Sequence, residues 1–82
     1  MSYQVKFEPK ALKNIGRLPK ELQTHIFDKF VEVSKDPFRY LGRFSHPKYY
    51  KLRIGDYRAL IDVDFENKIL LVKIFDHRDS IY

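Results

Sequence analysis

The sequence predicts an α+β domain in the order β-α-α-β-β-β, an antiparallel meander sheet packed on an N-terminal helical hairpin. Three observations carry this. Residues 3–7 alternate apolar and polar, and two stretches of helical periodicity follow, punctuated by Pro9, Gly16, Pro19 and Pro37. The second half then holds three strand-like runs separated by turn dipeptides. At 82 residues, with 44% hydrophobic and 16% aromatic side chains, the chain has apolar surface for one core, so residues 1–82 are expected to form one domain.

Each element has a local reason. Tyr3-Gln-Val-Lys-Phe7 has the period of a half-buried strand. Pro9 sits where a first helical turn tolerates it, and Ala11, Leu12 and Ile15 recur at helical spacing until Gly16. Pro19 restarts a helix in which Leu22, Ile26, Phe30 and Val33 form one stripe. Ser34 to Pro37 ends it, because proline excludes the preceding residue from helical geometry. The short break between the helices predicts an antiparallel hairpin. Residues 37–48, PFRYLGRFSHPK, read as an irregular connection. Strands are expected at Tyr49–Ile54, Tyr57–Asp64 and Lys68–Phe75, with Gly55-Asp56 suiting a type II′ turn and Glu66-Asn67 a type I′ turn.

A two-residue loop at Gly55-Asp56 dictates a register: Ile54 opposite Tyr57, Arg53 opposite Arg58, Leu52 opposite Ala59, Lys51 opposite Leu60 and Tyr50 opposite Ile61. One face then carries Tyr50, Leu52, Ile54, Tyr57, Ala59 and Ile61. Extending the pattern across Glu66-Asn67 adds Val63, Leu70, Val72 and Ile74 to this core face. The other face carries Lys51, Arg53 and Arg58, and the same extension puts Leu71, Lys73, Phe75 and His77 there. Like charges directly opposed cost a sheet up to about 1 kcal/mol, which favours an anion site on this face over the other reading, long side chains that splay into water with little net cost.

Net charge agrees. The chain carries 16 Lys and Arg against 11 Asp and Glu, and the excess is concentrated: residues 39–58 hold six basic side chains (Arg39, Arg43, Lys48, Lys51, Arg53, Arg58) against Asp56 alone. Residues 1–38 are net +2 and residues 59–82 net −2. Such a patch points to an acidic partner, nucleic acid or protein. With no cysteine, disulfides, zinc ribbons and thiol catalysis are excluded. The three histidines, His25, His46 and His77, lack ligand spacing with carboxylates, so no metal and no cofactor is implied. The longest apolar run among the strands is Ile69–Val72, and the first twenty residues are too charged for a signal peptide. A cytoplasmic protein with no membrane partner is expected.

The block YYKLRIGDYRALIDVD, followed by KILLVKIFDHRDSIY and preceded by YQVKFEPKALKNIGRLPKEL, resembles the RelE branch of the RelE/ParE toxin superfamily over essentially the whole chain. The resemblance implies a microbial-ribonuclease-like α+β fold. It also implies the toxin of a type II toxin–antitoxin system: a metal-independent mRNA endoribonuclease that cuts message in the ribosomal A site, stops translation and is neutralised by an acidic RelB-like antitoxin. Carried over by motif, the catalytic set is Lys51, Arg53, Arg58, Arg78 and Tyr82.

These residue types suit attack of a 2′-hydroxyl on its own phosphate. Arginines remain charged and grip phosphate oxygens in a fork. Lys51 suits the proton acceptor if the adjacent cations disfavour its ammonium form. Tyr82 could stack on a base. His77 is an alternative acid or base, or a residue that fixes the strand end. Arg39, Arg43, His46 and Lys48 are the expected contacts to ribosomal RNA, with a solvated loop as the other reading. His25 reads as structural or exposed, and Phe27, Phe30, Val31 and Phe38 as core or as an antitoxin dock. Two other functions stay open: a ParE-like inhibitor of DNA gyrase, and a catalytically weakened basic RNA-binding module of the same fold.

Overall fold

The alternation at the N-terminus produces a strand, β1 (Gln4–Phe7), whose Val5 and Phe7 turn inward. This computed structural model describes residues 2–43 and 48–80; His46 and Tyr82 therefore lie outside the described residues. Two helices follow, α1 (Pro9–Gly16) and α2 (Lys20–Lys35). Pro9 occupies the first turn of α1, and the Gln23 side-chain amide donates to the Leu18 carbonyl at 2.7 Å, tying the α1–α2 connection to α2. Ala11 and Ile15 of α1, with Ile26, Phe30 and Val33 of α2, are buried as the helical stripes require, whereas Leu12 faces outward.

The stretch expected to be irregular is partly ordered. Pro37–Tyr40 forms a single helical turn, α3, closed by the Leu41 N–H on the Pro37 carbonyl (2.9 Å), and the Tyr40 hydroxyl donates to Glu32 of α2 at 2.6 Å. Proline at the first helical position presets the turn that composition alone read as a loop. Gly42–Arg43 then forms a two-residue strand, β2.

The last three strands are β3 (Tyr50–Ile54), β4 (Tyr57–Asp64) and β5 (Ile69–His77). The five strands lie in the order β1-β5-β4-β3-β2, with β1 parallel to β5 and the other pairs antiparallel. The buried residues of α1 and α2 share one cluster with Leu52, Ile54, Ala59, Ile61, Leu70, Val72 and Phe75. Both helices therefore cover one face of the sheet and leave the other bare.

The β3–β4 register is the one derived from the turn, pair for pair from Tyr50↔Ile61 to Ile54↔Tyr57. Gly55 has φ +56° while Asp56 stays outside the left-handed region, as a type II′ turn requires. The second connection is wider than expected: residues 65–68 join Asp64 to Ile69, with Lys68 taking the positive φ. The Asp64 carboxylate accepts both the Asn67 N–H (3.0 Å) and its side-chain amide (2.9 Å).

Register holds from Asp64↔Ile69 to Ile61↔Val72, then slips. Lys73 drops out of the β4–β5 pairing, which resumes as Leu60↔Ile74, Ala59↔Phe75, Arg58↔Asp76 and Tyr57↔His77. This bulge corrects the expected core: Phe75 is 1% exposed and Ile74 39%. Burying the phenyl ring removes more apolar area from water than burying Ile74 would, and the ring stacks on Tyr57 with centroids 5.4 Å apart. The start of the helical hairpin grips the same place: the Lys73 ammonium meets Glu8, between β1 and α1, at 2.9 Å, and the Asn14 amide of α1 donates to the Phe75 carbonyl at 2.9 Å.

Two expectations follow. Phe75→Ala should lower unfolding free energy in urea by about 3–5 kcal/mol, and Ile74→Ala by less than about 1 kcal/mol; the reverse ranking would place the bulge elsewhere. The Asn67 hydrogen bonds hold the Asp64 carboxyl below its ordinary value of 3.8. Its contribution to stability is thus full above that pH and lost as pH falls through the lower, folded-state value. The difference in Tm between the native chain and Asp64→Ala should shrink progressively on acidification below about pH 4.

Candidate functional site

Alternation along β3 and β4 sends Lys51, Arg53 and Arg58 to the bare face, opposite the inward Leu52, Ile54 and Ala59. The observed register makes Arg53 and Arg58 direct cross-strand neighbours. One row across the sheet therefore reads Arg53–Arg58–Asp76, and the row beside it reads Gly42–Lys51–Leu60–Ile74. The Lys51 stem lies over Gly42, where a Cβ would stand 3.5 Å from the lysine Cε. Arg78 comes to the end of the first row by a backbone bond: its N–H donates to the Asp56 carbonyl in the β3–β4 turn at 2.8 Å.

Three of the sequence-predicted residues, Lys51, Arg53 and Arg58, are thus brought to one face, while Arg78 is tied by its backbone to the turn beside them with its Nε 4.0 Å from Asp79. His77 does not share that face. The bulge pairs it with Tyr57, rings 5.6 Å apart and nearly perpendicular, on the side of Phe75 rather than that of Arg58. Its Nδ1 accepts the Asp79 N–H at 3.3 Å, which fits the reading that it fixes the strand end. The expectation that His77 shares the Arg58 face is corrected for this reason. Among the loop cations, Lys48 reaches Asp62 of the bare face at 4.0 Å. Arg43 pairs with Tyr50 and so faces the helices, and the Arg39 guanidinium lies 6.0 Å from the Tyr40 ring. His25 is exposed on α2, lining a groove of about 310 Å³ that reaches Arg53. Of the four apolar residues with two readings, Phe30 is core, while Val31 and Phe38 are 56% and 46% exposed.

Sequence reasoning missed Asp76 and the diversion of Lys73. Both follow from the bulge, for which ILLVKIF contains no distinguishing signal, since apolar residues stand at both 74 and 75. The Glu8 carboxylate holds the Lys73 ammonium above its ordinary range. That cation is paired with Glu8, the residue between β1 and α1.

A small sheet with helices on one side and opposed arginines on the other is an α+β protein with a cationic face. The model of the ParE toxin of type II toxin–antitoxin systems matches residues 5–81. Toxin RelG of Mycobacterium tuberculosis is 28% identical, covering 100% of this chain and 98% of that protein. In structure, the chain is similar to the M. tuberculosis RelBE2 toxin–antitoxin complex (TM-score 0.84, 26% identity, 95% of this chain and 100% of the other). It is likewise similar to a mutant of E. coli toxin RelE in the free state (TM-score 0.79, 25% identity, 99% and 88%). The chain belongs to the RelE/ParE superfamily of type II toxin–antitoxin toxins.

Arg53 faces Arg58, which has Asp76 on its other side, so the repulsion between the two arginines is testable at Arg53. Arg53→Gln should leave the fold intact and either preserve or raise its unfolding free energy, by up to about 1 kcal/mol, in urea at about 0.02 M salt. The gain should vanish at about 1 M salt, where the repulsion is screened. A substantial loss at both salts would mean Arg53 is a structural residue.

Proposed function

We propose that this chain is the ribosome-dependent endoribonuclease of its toxin–antitoxin pair, cutting mRNA in the ribosomal A site. The observation that carries this reading is the opposed pair Arg53–Arg58, set in register on the bare face with Lys51 in the next row and Arg78 at the turn. A fold gains no stability from two guanidinium groups facing each other; a phosphate between them reverses the sign of the interaction.

In the reaction, the 2′-hydroxyl loses its proton to Lys51 acting as base, and its oxygen bonds to the adjacent phosphorus. The bond from phosphorus to the 5′-oxygen breaks, and that oxygen takes up a proton, leaving a 2′,3′-cyclic phosphate and a 5′-hydroxyl. Arg53 and Arg58 hold the non-bridging oxygens as charge builds on the phosphorane. Arg78 clamps the phosphate or partners the leaving oxygen. Tyr82, four residues further along the sequence, is assigned to orienting a base. Lys48, beside Asp62 on the bare face, is assigned to ribosomal RNA, as are Arg39, Arg43 and His46 of the same stretch of sequence. A protein so charged also suits an acidic RelB-like antitoxin, the type of partner named in the solved complexes of its relatives. The apolar groove of about 300 Å³ between β1 and α2, lined by Phe7, Phe27 and Val31, is a second surface for it.

The family model's description as a ParE toxin favours a second reading, inhibition of DNA gyrase by protein contact. That activity has no use for a phosphate clamp, so the arginine row counts against it. A basic module that binds RNA without cutting it is the remaining reading.

In a purified translation system, primer extension should show cuts within A-site codons only when ribosomes and this protein are both present. Arg58→Ala should reduce the cleavage rate by about 10²-fold or more. Arg58→Lys should retain non-specific RNA affinity while losing most cleavage, because the planar fork is gone. Intact message with unimpaired translation would overturn the reading and make a gyrase supercoiling assay the next test.

A further inference from the structure

The bulge in β5 decides which side chain stands beside the arginine row. Had the register of the second hairpin run on without a slip, Lys73 would oppose Leu60, adding a cation next to Lys51 and Arg58. Instead Lys73 is left out of the ladder and drawn to Glu8 at 2.9 Å, and Ile74 takes its place. Bulges concentrate beside functional sites because they re-aim one side chain at the cost of local pairing.

What the slip presents there is apolar. Ile74 is 39% exposed, and its cross-strand neighbour Leu60 is 5% exposed although it belongs to the bare face and lies outside the main core cluster. Ile74 is also the diagonal neighbour of Arg58, a separation of about 7–8 Å between Cα atoms in an antiparallel pair. A half-exposed aliphatic surface thus lies one row from the cations assigned to the phosphate. In a polynucleotide every phosphate has a flat, apolar-faced ring a few ångströms away, so a phosphate clamp with an aliphatic floor beside it matches one nucleotide unit.

We infer that Ile74, on its Leu60 floor, is a nucleobase subsite, seating the face of a base that flanks the phosphate held by Arg53 and Arg58. The inference rests on the ribonuclease reading and deepens it: Ile74 contributes to substrate affinity by packing under a ring. Because an aliphatic surface has no hydrogen-bonding pattern, the subsite accepts any base and rejects its absence.

The test uses ribosomes programmed with a message whose A-site codon is intact or carries one abasic nucleotide, placed at each codon position in turn. The native chain should show a rise in KM of about fivefold for the abasic nucleotide at one position. Ile74→Ser should raise KM on the intact message by a similar factor and be indifferent to that base loss, while Ile74→Phe, with a wider face, should lower KM. The opposite signs of the two variants separate a lost contact from a damaged fold. If the native chain cleaves while both variants keep its KM, or if Ile74→Ser responds to base loss as the native chain does, the subsite is overturned and the ribonuclease reading stands. If the native chain cuts no message at all, both fall.

Discussion

The one-sided covering of the sheet is the constraint on which the rest of the molecule depends. Two helices totalling 24 residues can shield only one face of five strands. Most strand positions must then alternate between the core and water, with Leu60, 5% exposed on the open face, as an exception. Leu52, Ile54, Ala59 and Ile61 satisfy the first demand, and Lys51, Arg53 and Arg58 occupy positions where any soluble side chain would satisfy the second. That those positions hold three cations, two of them opposed, is a choice the fold does not need. It is the observation from which the proposed function starts.

Much of this is legible in the order of the residues. Gly55-Asp56 has the chemistry of one turn type, that turn admits one register, and the register alone faces Arg53 with Arg58. The helices are equally readable, because proline and glycine mark their ends. What escapes such reading falls into two kinds. The parallel pairing of β1 with β5 joins residues some 65 positions apart, such as Gln4 and Ile69, and no local signal specifies it. The bulge at Lys73 escapes for another reason. Apolar residues at both 74 and 75 let either one serve the core, and the decision comes from Tyr57, Glu8 and Asn14, which the chain brings up from elsewhere. One slipped residue exchanges Ile74 for Phe75 in the core and moves His77 away from the arginines.

The likeness to RelE and ParE proteins and the reading of the cations are independent lines that meet. The family match runs through almost the whole chain, and structural agreement is close at identities near 25%, so what is held in common is chiefly the path of the backbone. Activity resides in side chains set upon that path. The set proposed here is a guanidinium pair and a neighbouring amine, the charge that a pentavalent phosphorus would require.

The shortness of β2 has a consequence of its own. Among the described residues it covers β3 only at Tyr50 and Lys51, so the outer edge from Leu52 to Ile54 carries no described strand. An uncovered edge is a template on which a second chain can add, and proteins blunt such edges with long charged side chains. Arg53 is such a side chain here. The cation proposed to hold a phosphate therefore also hinders copies of the protein from stitching together edge to edge. Neutralising Arg53 for mechanistic study removes that guard as well, so self-association has to be followed alongside cleavage.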